Sequence, residues 1–314
     1  MKTKQKSIHE IKRIFSDSLC RELNLTRVEA PLFVMSDSGL QDELDGKQHS
    51  VSFPISYDKR AEIVHSLAKW KRLALQRYDF ELYEGLLTDM KAIRTGEILD
   101  TLHSYYVDQW DWEQMIKKVD RTEDYLKDTV NRIYSALLQT ISWMKSKGME
   151  VPELPQKVYF LTTEELLQLY PTYSPKAREN AICREYGAVF LMKIGDTLCD
   201  GSMHDSRSPD YDDWTLNGDL LVYSTHLSCA IELSSMGIRV DEVSLLEQLK
   251  KTGTLQRLEK PYHRMVLTEQ LPYTIGGGIG QSRLCMFLLQ LHHIGQVQCS
   301  YWDEKTYELF EGIL

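Results

Sequence analysis

Residues 272–291 read Pro-Tyr-Thr-Ile-Gly-Gly-Gly-Ile-Gly-Gln-Ser-Arg-Leu-Cys-Met-Phe-Leu-Leu-Gln-Leu. Four glycines within 276–280 precede apolar residues at helical spacing, among them Leu284 and Leu288. Because glycine adopts positive φ angles and lets a backbone approach a ligand, we predict a tight turn that leads into a helix. The start of such a helix suits an anion, since its N–H groups are unpaired and carry partial positive charge.

This glycine-rich segment matches neither of two familiar phosphate-binding loops. A P-loop requires a lysine after the glycines, and a dinucleotide-binding fingerprint belongs early in a βαβ unit. Arg283 falls in the first turn of the predicted helix, where a guanidinium can reach whatever the glycines hold. Alternatively, the glycines only permit close packing at the start of a buried helix.

The composition excludes several classes of protein. The 314 residues suffice for one large domain or two modest ones, and the net charge of −9 argues against broad nucleic-acid binding. No apolar run reaches the roughly 18 residues of a membrane span, and the N-terminus has no export signal. We therefore predict a cytoplasmic protein without membrane or nucleic-acid partners. The six cysteines are scattered, which indicates reduced thiols rather than a zinc site or disulfides.

Hydrophobic periodicity predicts helices and strands in irregular alternation. The principal predicted helices are 6–24, 65–78 and 122–147, and the strands are 60–64, 84–94, 103–112, 157–161 and 188–194. Thr162 and Glu165 have the spacing of a capping box, and Ser174 should begin a helix that Gly187 ends. Strands joined by loops rather than by regular βα units indicate an α+β fold, with an antiparallel sheet covered by helices.

The predicted helix 65–78 carries three cationic residues that differ in their expected exposure to solvent. Lys71 falls inside its apolar arc, whereas Lys69 and Arg72 fall on the side expected for solvated charges. A lysine at the inward face either extends along the edge of the core or holds an anion in a cleft. We favour the anion.

The segment 103–113 carries polar residues on one face of an aromatic-rich strand. Strand alternation puts Gln109 and Asp111 on that face, where Asp111 suits an ammonium group. An edge strand with one wet face would give the same pattern.

A third polar group lies on the predicted hairpin with its turn near Thr225 and His226. That turn would put Asp219 opposite Glu232 or its immediate neighbour. Facing carboxylates repel unless one is protonated or a cation lies between them. Oxygen ligands without histidine or cysteine point to Mg²⁺ shared with substrate phosphates, although an exposed acidic strand pair is the alternative.

Five motifs carry a family resemblance: Val-His-Ser-Leu-Ala-Lys-Trp-Lys-Arg (64–72), Tyr-Val-Asp-Gln-Trp-Asp-Trp-Glu (106–113), Pro-Asp-Tyr-Asp-Asp-Trp (209–214), Glu-Leu-Ser-Ser-Met-Gly-Ile-Arg-Val (232–240) and Thr-Ile-Gly-Gly-Gly-Ile-Gly-Gln-Ser-Arg (274–283). Together they resemble the ammonia-dependent asparagine synthetases, the type A aspartate–ammonia ligases, nearly end to end. That family is similar to the catalytic core of class II aminoacyl-tRNA synthetases, particularly the aspartyl enzyme. The resemblance implies a mainly antiparallel sheet flanked by helices, in a homodimer.

The resemblance also implies a division of the chain. Residues 1–314 would form a single catalytic domain, in which 210–291 bind metal and nucleotide. Residues 1–35, a helix plus a strand, would belong to the dimer interface, although they could simply cap the core. The family has a longer loop after the motif at 209–214, whereas here only Thr215 and Leu216 separate it from Asn-Gly-Asp.

The activity implied by the resemblance is ATP-dependent amidation of L-aspartate by ammonia. Aspartate would attack the α-phosphate of Mg²⁺-ATP to give β-aspartyl-AMP and pyrophosphate, and ammonia would then displace AMP to form asparagine. The protein would act mainly by positioning and charge stabilisation. Lys2 follows Met1, where glutamine-using amidotransferases often carry a cysteine nucleophile, so free ammonia is favoured.

Site roles follow from the same resemblance. The residues expected to take part in catalysis are Arg94, Lys71, Asp212 and Arg283. The residues expected around aspartate are Asp42, Ser66, Lys71, Gln109, Asp111 and Arg239. The nucleotide is expected to contact Arg94, Ser104, Val107, Ser235, Gly278, Gly280 and Arg283. Asp219 and Glu232 would hold Mg²⁺, and Asp212 would position ammonia or accept its proton. A regulatory paralogue that binds without turnover, a tRNA-charging enzyme and a structural scaffold are the competing hypotheses.

Overall fold

The computed structural model describes residues 1–43 and 49–314. The helices are Lys2–Leu23 (α1), Ala68–Arg77 (α2), Glu123–Ser146 (α3), Thr163–Leu169 (α4), Pro175–Tyr186 (α5), Glu242–Lys251 (α6), Pro261–Leu267 (α7), Gln281–Leu288 (α8) and Glu304–Leu309 (α9). The strands are Leu25–Arg27 (β1), Phe33–Met35 (β2), Ser52–Pro54 (β3), Arg60–Ile63 (β4), Gly85–Ile93 (β5), Tyr106–Met115 (β6), Tyr159–Thr162 (β7), Ala188–Met192 (β8), Asp212–Ser224 (β9), Cys229–Arg239 (β10) and Thr274–Gly280 (β11). Within these described ranges, no helix is both long and apolar enough to cross a bilayer.

Eight strands form one sheet in the order β1-β5-β6-β11-β10-β9-β8-β7. Its five inner pairings are antiparallel, and the two outer ones, β1 with β5 and β7 with β8, are parallel. A smaller sheet has the order β2-β4-β3. The predicted α+β class with a mainly antiparallel sheet is confirmed.

The two faces of the large sheet have different roles. Trp110 and Trp112 on β6 pack into the same core as Phe15 of α1, Leu137 of α3 and Leu284 of α8. Because side chains alternate along a strand, Gln109 and Asp111 point to the opposite face. On that face α2 packs near β6, and α5 packs on β9 and β10. The polar side chains therefore lie between these two helices.

The predicted helix ends are confirmed. The Thr162 hydroxyl accepts a hydrogen bond from the Glu165 amide at 3.1 Å, and the Glu165 carboxylate accepts one from the Thr162 amide at 2.7 Å. Ser174 caps α5 through the Ala177 amide at 3.4 Å, and Gly187 ends that helix with a φ of 75°. These local signals are reliable because the interacting groups are close in sequence.

The glycines 276–280 are not a tight turn, which corrects the sequence prediction. They belong to β11, and none of the residues of that strand has a positive φ. A Cβ atom at Gly276 would overlap the Glu113 carboxylate, and one at Gly278 would overlap the Gln109 side chain. Glycine is therefore needed at these positions because neighbouring polar side chains lie against the strand. This outcome agrees with the alternative that the glycines permit close packing. The helix expected after them is α8.

The hairpin of β9 and β10 forms as predicted, but its register differs. Ser224 pairs with Cys229, Glu232 lies opposite Leu221, and Asp219 lies opposite Ser235. The prediction that Asp219 faces Glu232 or its neighbour is therefore wrong. The position of the turn shifts the strand register relative to the prediction, and a β-bulge between Glu232 and Ser234 shifts it further.

A second irregularity lies at the short connection between the motif at 209–214 and Asn217. Gly237 pairs with Asn217, whereas Arg239 pairs with Asp212, so residues 213–216 have no matching residues on β10. With this short connection, β9 is a single strand from Asp212 to Ser224.

Candidate active site

Two adjoining cavities open on the polar face of the sheet. Their volumes are about 320 Å³ and about 210 Å³. Arg94, Gln109, Glu232 and Gly278 line both cavities. A molecule bound in one cavity would therefore lie next to a molecule bound in the other.

The structure brings together almost all residues that the sequence predicted. Predicted residues that line the first cavity are Asp42, Ser66, Lys71, Arg94, Gln109, Asp111, Asp212, Glu232, Ser235, Arg239 and Gly278. Predicted residues that line the second are Arg94, Ser104, Val107, Gln109, Glu232, Gly278, Gly280 and Arg283. Asp219 lines neither and lies behind Arg207, to which its carboxylate is bound.

A buried ion-pair network forms the inner wall of the first cavity. Arg239 donates to the Glu113 carboxylate at 2.9 Å and 2.7 Å, and also to Asp212. Burial alone would raise the pKa of Glu113, but Arg239 and Lys71 hold it below its usual range. Burial raises the pKa of Asp212 more than Arg239 lowers it. Glu113 was not predicted, although it lies two residues after Asp111 on the same strand face.

Lys71 is buried and faces acceptors that belong to the chain itself. Its Nζ lies 2.9 Å from Asp111 Oδ1 and 2.7 Å from the Gly277 carbonyl. Burial lowers the pKa of Lys71. Asp111 Oδ2 is buried and has no hydrogen-bond partner among the described residues. The pair therefore leaves one carboxylate oxygen that an ammonium group can satisfy.

Lys69 and Arg72 are not solvated, which corrects the sequence prediction. Each is 2% exposed. Lys69 lies 2.9 Å from Asp210, and Arg72 donates to the carbonyls of Val240 at 2.7 Å and Pro272 at 2.8 Å. The prediction failed because α2 packs between two apolar clusters rather than on an open surface.

The second cavity combines apolar walls with a guanidinium. Val107 and Leu102 line it together with Arg283, whose Nη1 lies 3.6 Å from Glu232 Oε2. Ser104 donates from its hydroxyl to Ser300 at 2.7 Å. A planar ring fits between apolar side chains and a guanidinium, since arginine stacks on flat groups.

The start of α8 is occupied by the chain's own anion. The Ser282 amide donates to Asp108 Oδ1 at 3.1 Å, and Lys12 lies 2.9 Å from Asp108 Oδ2. The anion that we expected at this helix start is therefore provided internally by Asp108. Gly280 and Arg283 still line the cavity beside it.

Arg94 lies at the junction of the two cavities, directly after β5. One of its terminal nitrogens donates to the His65 carbonyl at 3.2 Å. Its Nε is buried and has no hydrogen-bond partner among the described residues. A guanidinium with an unused donor between two cavities suits a phosphate or carboxylate group placed there.

Asp219 and Glu232 suit a divalent cation that takes its remaining ligands from water or from a substrate. Asp219 Oδ1 is buried without a hydrogen-bond partner in the described part of the chain. Burial raises the pKa of Asp219 to about 7, and the nearby Glu232 adds to the rise while Arg207 opposes it. Oxygen donors of this kind suit Mg²⁺, which keeps waters or phosphate oxygens as further ligands. Residues 1–43 and 49–314 contain no group of three or more His, Cys, Asp or Glu that could hold a metal unaided.

The raised pKa of Asp219 predicts a pH-dependent stability in the presence of a chelator. A carboxyl group with a raised folded-state pKa contributes stability at acid pH that is lost as the pH rises toward that value. Relative to the unmodified chain, the Asp219→Asn variant should therefore gain stability as the pH rises from 5 to 8. Urea unfolding at both pH values measures this difference.

Asp128→Asn, on the exposed face of α3, provides the control and should show no such change with pH. A difference between Asp219→Asn and the unmodified chain that stays constant from pH 5 to 8 would contradict the prediction. Arg207, Asp205 and Glu232 are the charged groups that act on Asp219, so all three stay unchanged in this experiment.

One wall of the first cavity was missed by the sequence reasoning. It is formed by Asp205, Ser206, Arg207, Ser208 and Tyr211. Tyr211 lies within the motif at 209–214, so its position near the first cavity could have been inferred from that motif. The loop before that motif shows no periodicity or spacing from which a role could be read.

Comparison with known proteins identifies related sequences over nearly the whole chain. The model of the family described as aspartate–ammonia ligase matches residues 2–313. An aspartate–ammonia ligase of Fusobacterium nucleatum is 53% identical over 304 residues, covering 96% of this chain and 93% of the relative. One of Clostridium perfringens is 56% identical over 305 residues, covering 95% and 90%.

Solved structures are similar in fold at low sequence identity. An asparaginyl-tRNA synthetase of Entamoeba histolytica, in complex with asparaginyl-adenylate, matches with a TM-score of 0.67 at 12% identity, covering 95% of this chain and 69% of that one. The aspartyl-tRNA synthetase of the same organism matches with a TM-score of 0.64 at 14% identity, covering 95% and 59%. These matches show the class II aminoacyl-tRNA synthetase fold.

Proposed function

Because the chain belongs to the aspartate–ammonia ligase family, we propose that it amidates L-aspartate with ammonia to form L-asparagine, using ATP. The proposed route runs through β-aspartyl-adenylate and releases AMP and pyrophosphate. The observation that supports it is the junction of the two cavities at Arg94. One cavity is lined by paired charges, the other by apolar side chains and a guanidinium, so the reacting carboxylate and the α-phosphate would meet between them.

The first cavity would hold aspartate. Asp111, with its free Oδ2, accepts hydrogen bonds from the ammonium group, and Asp42 adds a second negative charge. Arg239 and Lys71, which also pair with carboxylates of the chain, would supply positive charge to the carboxylates of the substrate, while Ser66 and Gln109 complete the polar lining. Both signs of charge lie within one cavity, as a zwitterion with an additional carboxylate requires.

The second cavity would hold the nucleotide. Arg283 stacks on the adenine, Val107 and Gly278 form apolar contacts, and Ser104 and Gly280 lie at the same wall. Ser235 lies in the first cavity, so it would contact the part of the nucleotide nearest the junction.

The reaction needs charge stabilisation and one proton acceptor. Asp219 and Glu232 would hold Mg²⁺, which neutralises phosphate charge when bound. In the first step an oxygen of the aspartate side chain bonds to the α-phosphorus, the bond to the β-phosphate breaks, and Arg94 stabilises the negative charge. In the second, the ammonia nitrogen bonds to the acyl carbon, AMP leaves, and Asp212 accepts the proton. The raised pKa of Asp212 supports this role.

The assembly and location follow from the sequence expectations alone. We propose one catalytic domain, 1–314, with 210–291 contributing to metal and nucleotide binding, in a cytoplasmic homodimer. The apolar stripe of α1 packs within the chain, so it serves the core rather than an interface. Leu32 and Phe33 remain 53% and 42% exposed, and they are the part of 1–35 that a partner subunit could cover.

The proposed route is tested with aspartate labelled with ¹⁸O in its side-chain carboxylate. Incubation with Mg²⁺-ATP and ammonium should yield asparagine, AMP and pyrophosphate in equal amounts, with one ¹⁸O transferred to the phosphate of AMP. Mass spectrometry of AMP measures the transfer. The label moves because the oxygen that attacks phosphorus leaves with AMP when ammonia attacks the carbon.

Three other outcomes would contradict the proposal in different ways. ADP and phosphate would indicate an acyl-phosphate route. Unlabelled AMP would exclude the adenylate. Binding of aspartate and ATP without any product would favour a regulatory protein. Glutamine in place of ammonium serves as the control and should give no asparagine.

A further inference from the structure

Arg207 lies beside the two carboxylates that are proposed to hold the metal. Its guanidinium pairs with Asp219 and lies 3.1 Å from Asp205 Oδ2. The side chain is only 14% exposed and lines the first cavity together with Glu232. Asp219 and Glu232 lie on one face of the hairpin, so Arg207 supplies positive charge to two carboxylates that would otherwise repel each other.

The segment that carries Arg207 is anchored at both ends. His204 is buried, and its Nε2 lies 3.1 Å from Glu179 Oε1. Ser208 donates to Asp210 Oδ1 at 2.8 Å, and Asp210 is fully buried. Between these anchors Asp205 and Ser206 are exposed. A movement confined to residues 205–207 would therefore leave the contacts of His204 and Ser208 in place.

A guanidinium and a divalent cation would compete for the Asp219 carboxylate. The carboxylate is buried, and two cations bound to its two oxygens at the same time would repel each other strongly because little water screens them. We propose that Arg207 takes the place of the divalent cation in the unloaded enzyme and is displaced when metal and nucleotide bind together. The inference rests on the proposed function, which supplies the metal and the phosphates.

This arrangement makes metal binding depend on the nucleotide. Metal alone must displace Arg207 and leave its guanidinium without a buried partner. Metal that arrives with ATP brings phosphate oxygens, which complete its coordination and offer the displaced guanidinium a new anionic partner. The chain would therefore avoid holding the metal before its substrate is present.

The test measures binding of Mn²⁺ alone by electron paramagnetic resonance in full-length variants. Arg207→Gln should bind Mn²⁺ at least about tenfold more tightly than the unmodified chain in the absence of nucleotide, because the competing charge is gone. Arg207→Lys keeps the charge and should resemble the unmodified chain. Arg184→Gln, a control with the same change in net charge outside both cavities, should not alter binding. Adding Asp219→Asn to Arg207→Gln should remove the gain.

Equal Mn²⁺ affinity of Arg207→Gln and the unmodified chain would overturn the inference, as would a gain that survives Asp219→Asn. Should Arg207→Gln not fold, crystals of the unmodified chain with Mn²⁺ and ATP decide. An anomalous peak beside Asp219 with Arg207 moved away supports the displacement, and a peak with the Arg207–Asp219 pair intact refutes it. Absence of any Asp219-dependent Mn²⁺ binding with ATP would instead refute the metal site of the proposed function.

Discussion

Replacing Arg239 with methionine should lower the free energy of unfolding by about 3–5 kcal/mol and abolish aspartate binding. Arg239 is 2% exposed and binds two buried carboxylates, Glu113 and Asp212. Methionine fills similar space but leaves both carboxylates without their main cation. The cost is large because water cannot reach them. Urea unfolding measures the loss of stability, and calorimetry measures the binding of aspartate.

Arg178→Met is the matched control. Arg178 is also buried, at 4% exposure, and donates to the carbonyls of Tyr170 and Pro171 at 3.1 Å and 3.5 Å. Its loss should cost about 1 kcal/mol, since the contacts of Arg178 are hydrogen bonds to backbone carbonyls rather than to buried carboxylates. Equal destabilisation by the two changes would show that the Arg239 network adds nothing beyond ordinary hydrogen bonding.

Replacing Arg94 with glutamine should reduce kcat by about 10²–10³-fold with little change in the affinity for ATP. Its unpaired Nε lies at the junction of the cavities, where negative charge develops on the α-phosphate during the proposed first step. An interaction that strengthens only in the transition state affects kcat rather than ground-state binding. AMP formation measures kcat, and calorimetry measures ATP binding.

Lys91→Gln removes a positive charge from the same strand and serves as the control. Lys91 is exposed and lines neither cavity, so its variant should keep its full rate. A rise in the KM for ATP with an unchanged kcat in Arg94→Gln would mean that Arg94 contributes only to ground-state binding.

Strand alternation and short-range capping signals predicted what depends on neighbours in sequence. The placement of Gln109 and Asp111 on one face required only the two-residue period of a strand. The same period reaches Glu113, whose role could have been predicted. The ends of α4 and α5 were likewise encoded within a few residues.

Features that depend on distant neighbours could not be read in this way. The glycines of β11 look like a turn until Glu113 and Gln109 are placed against them by pairing with β6. Lys69 looks solvated until Asp210 is brought beside it. The strand register of Asp219 depends on a β-bulge that no residue type in the sequence indicates. The family resemblance supplied what the local patterns lacked, since it named residues on separate segments as one site.

The buried cations of α2 have a consequence for whether the protein can be divided. Lys69 pairs with Asp210, Arg72 with the carbonyl of Val240, and Lys71 with that of Gly277. A cut anywhere between residues 77 and 209 would leave α2 on one fragment and these partners on the other. Neither fragment alone could then bury these polar groups together with their hydrogen-bond or ion-pair partners. Split versions and circular permutants that separate these two parts must therefore reassociate before either has a complete interior.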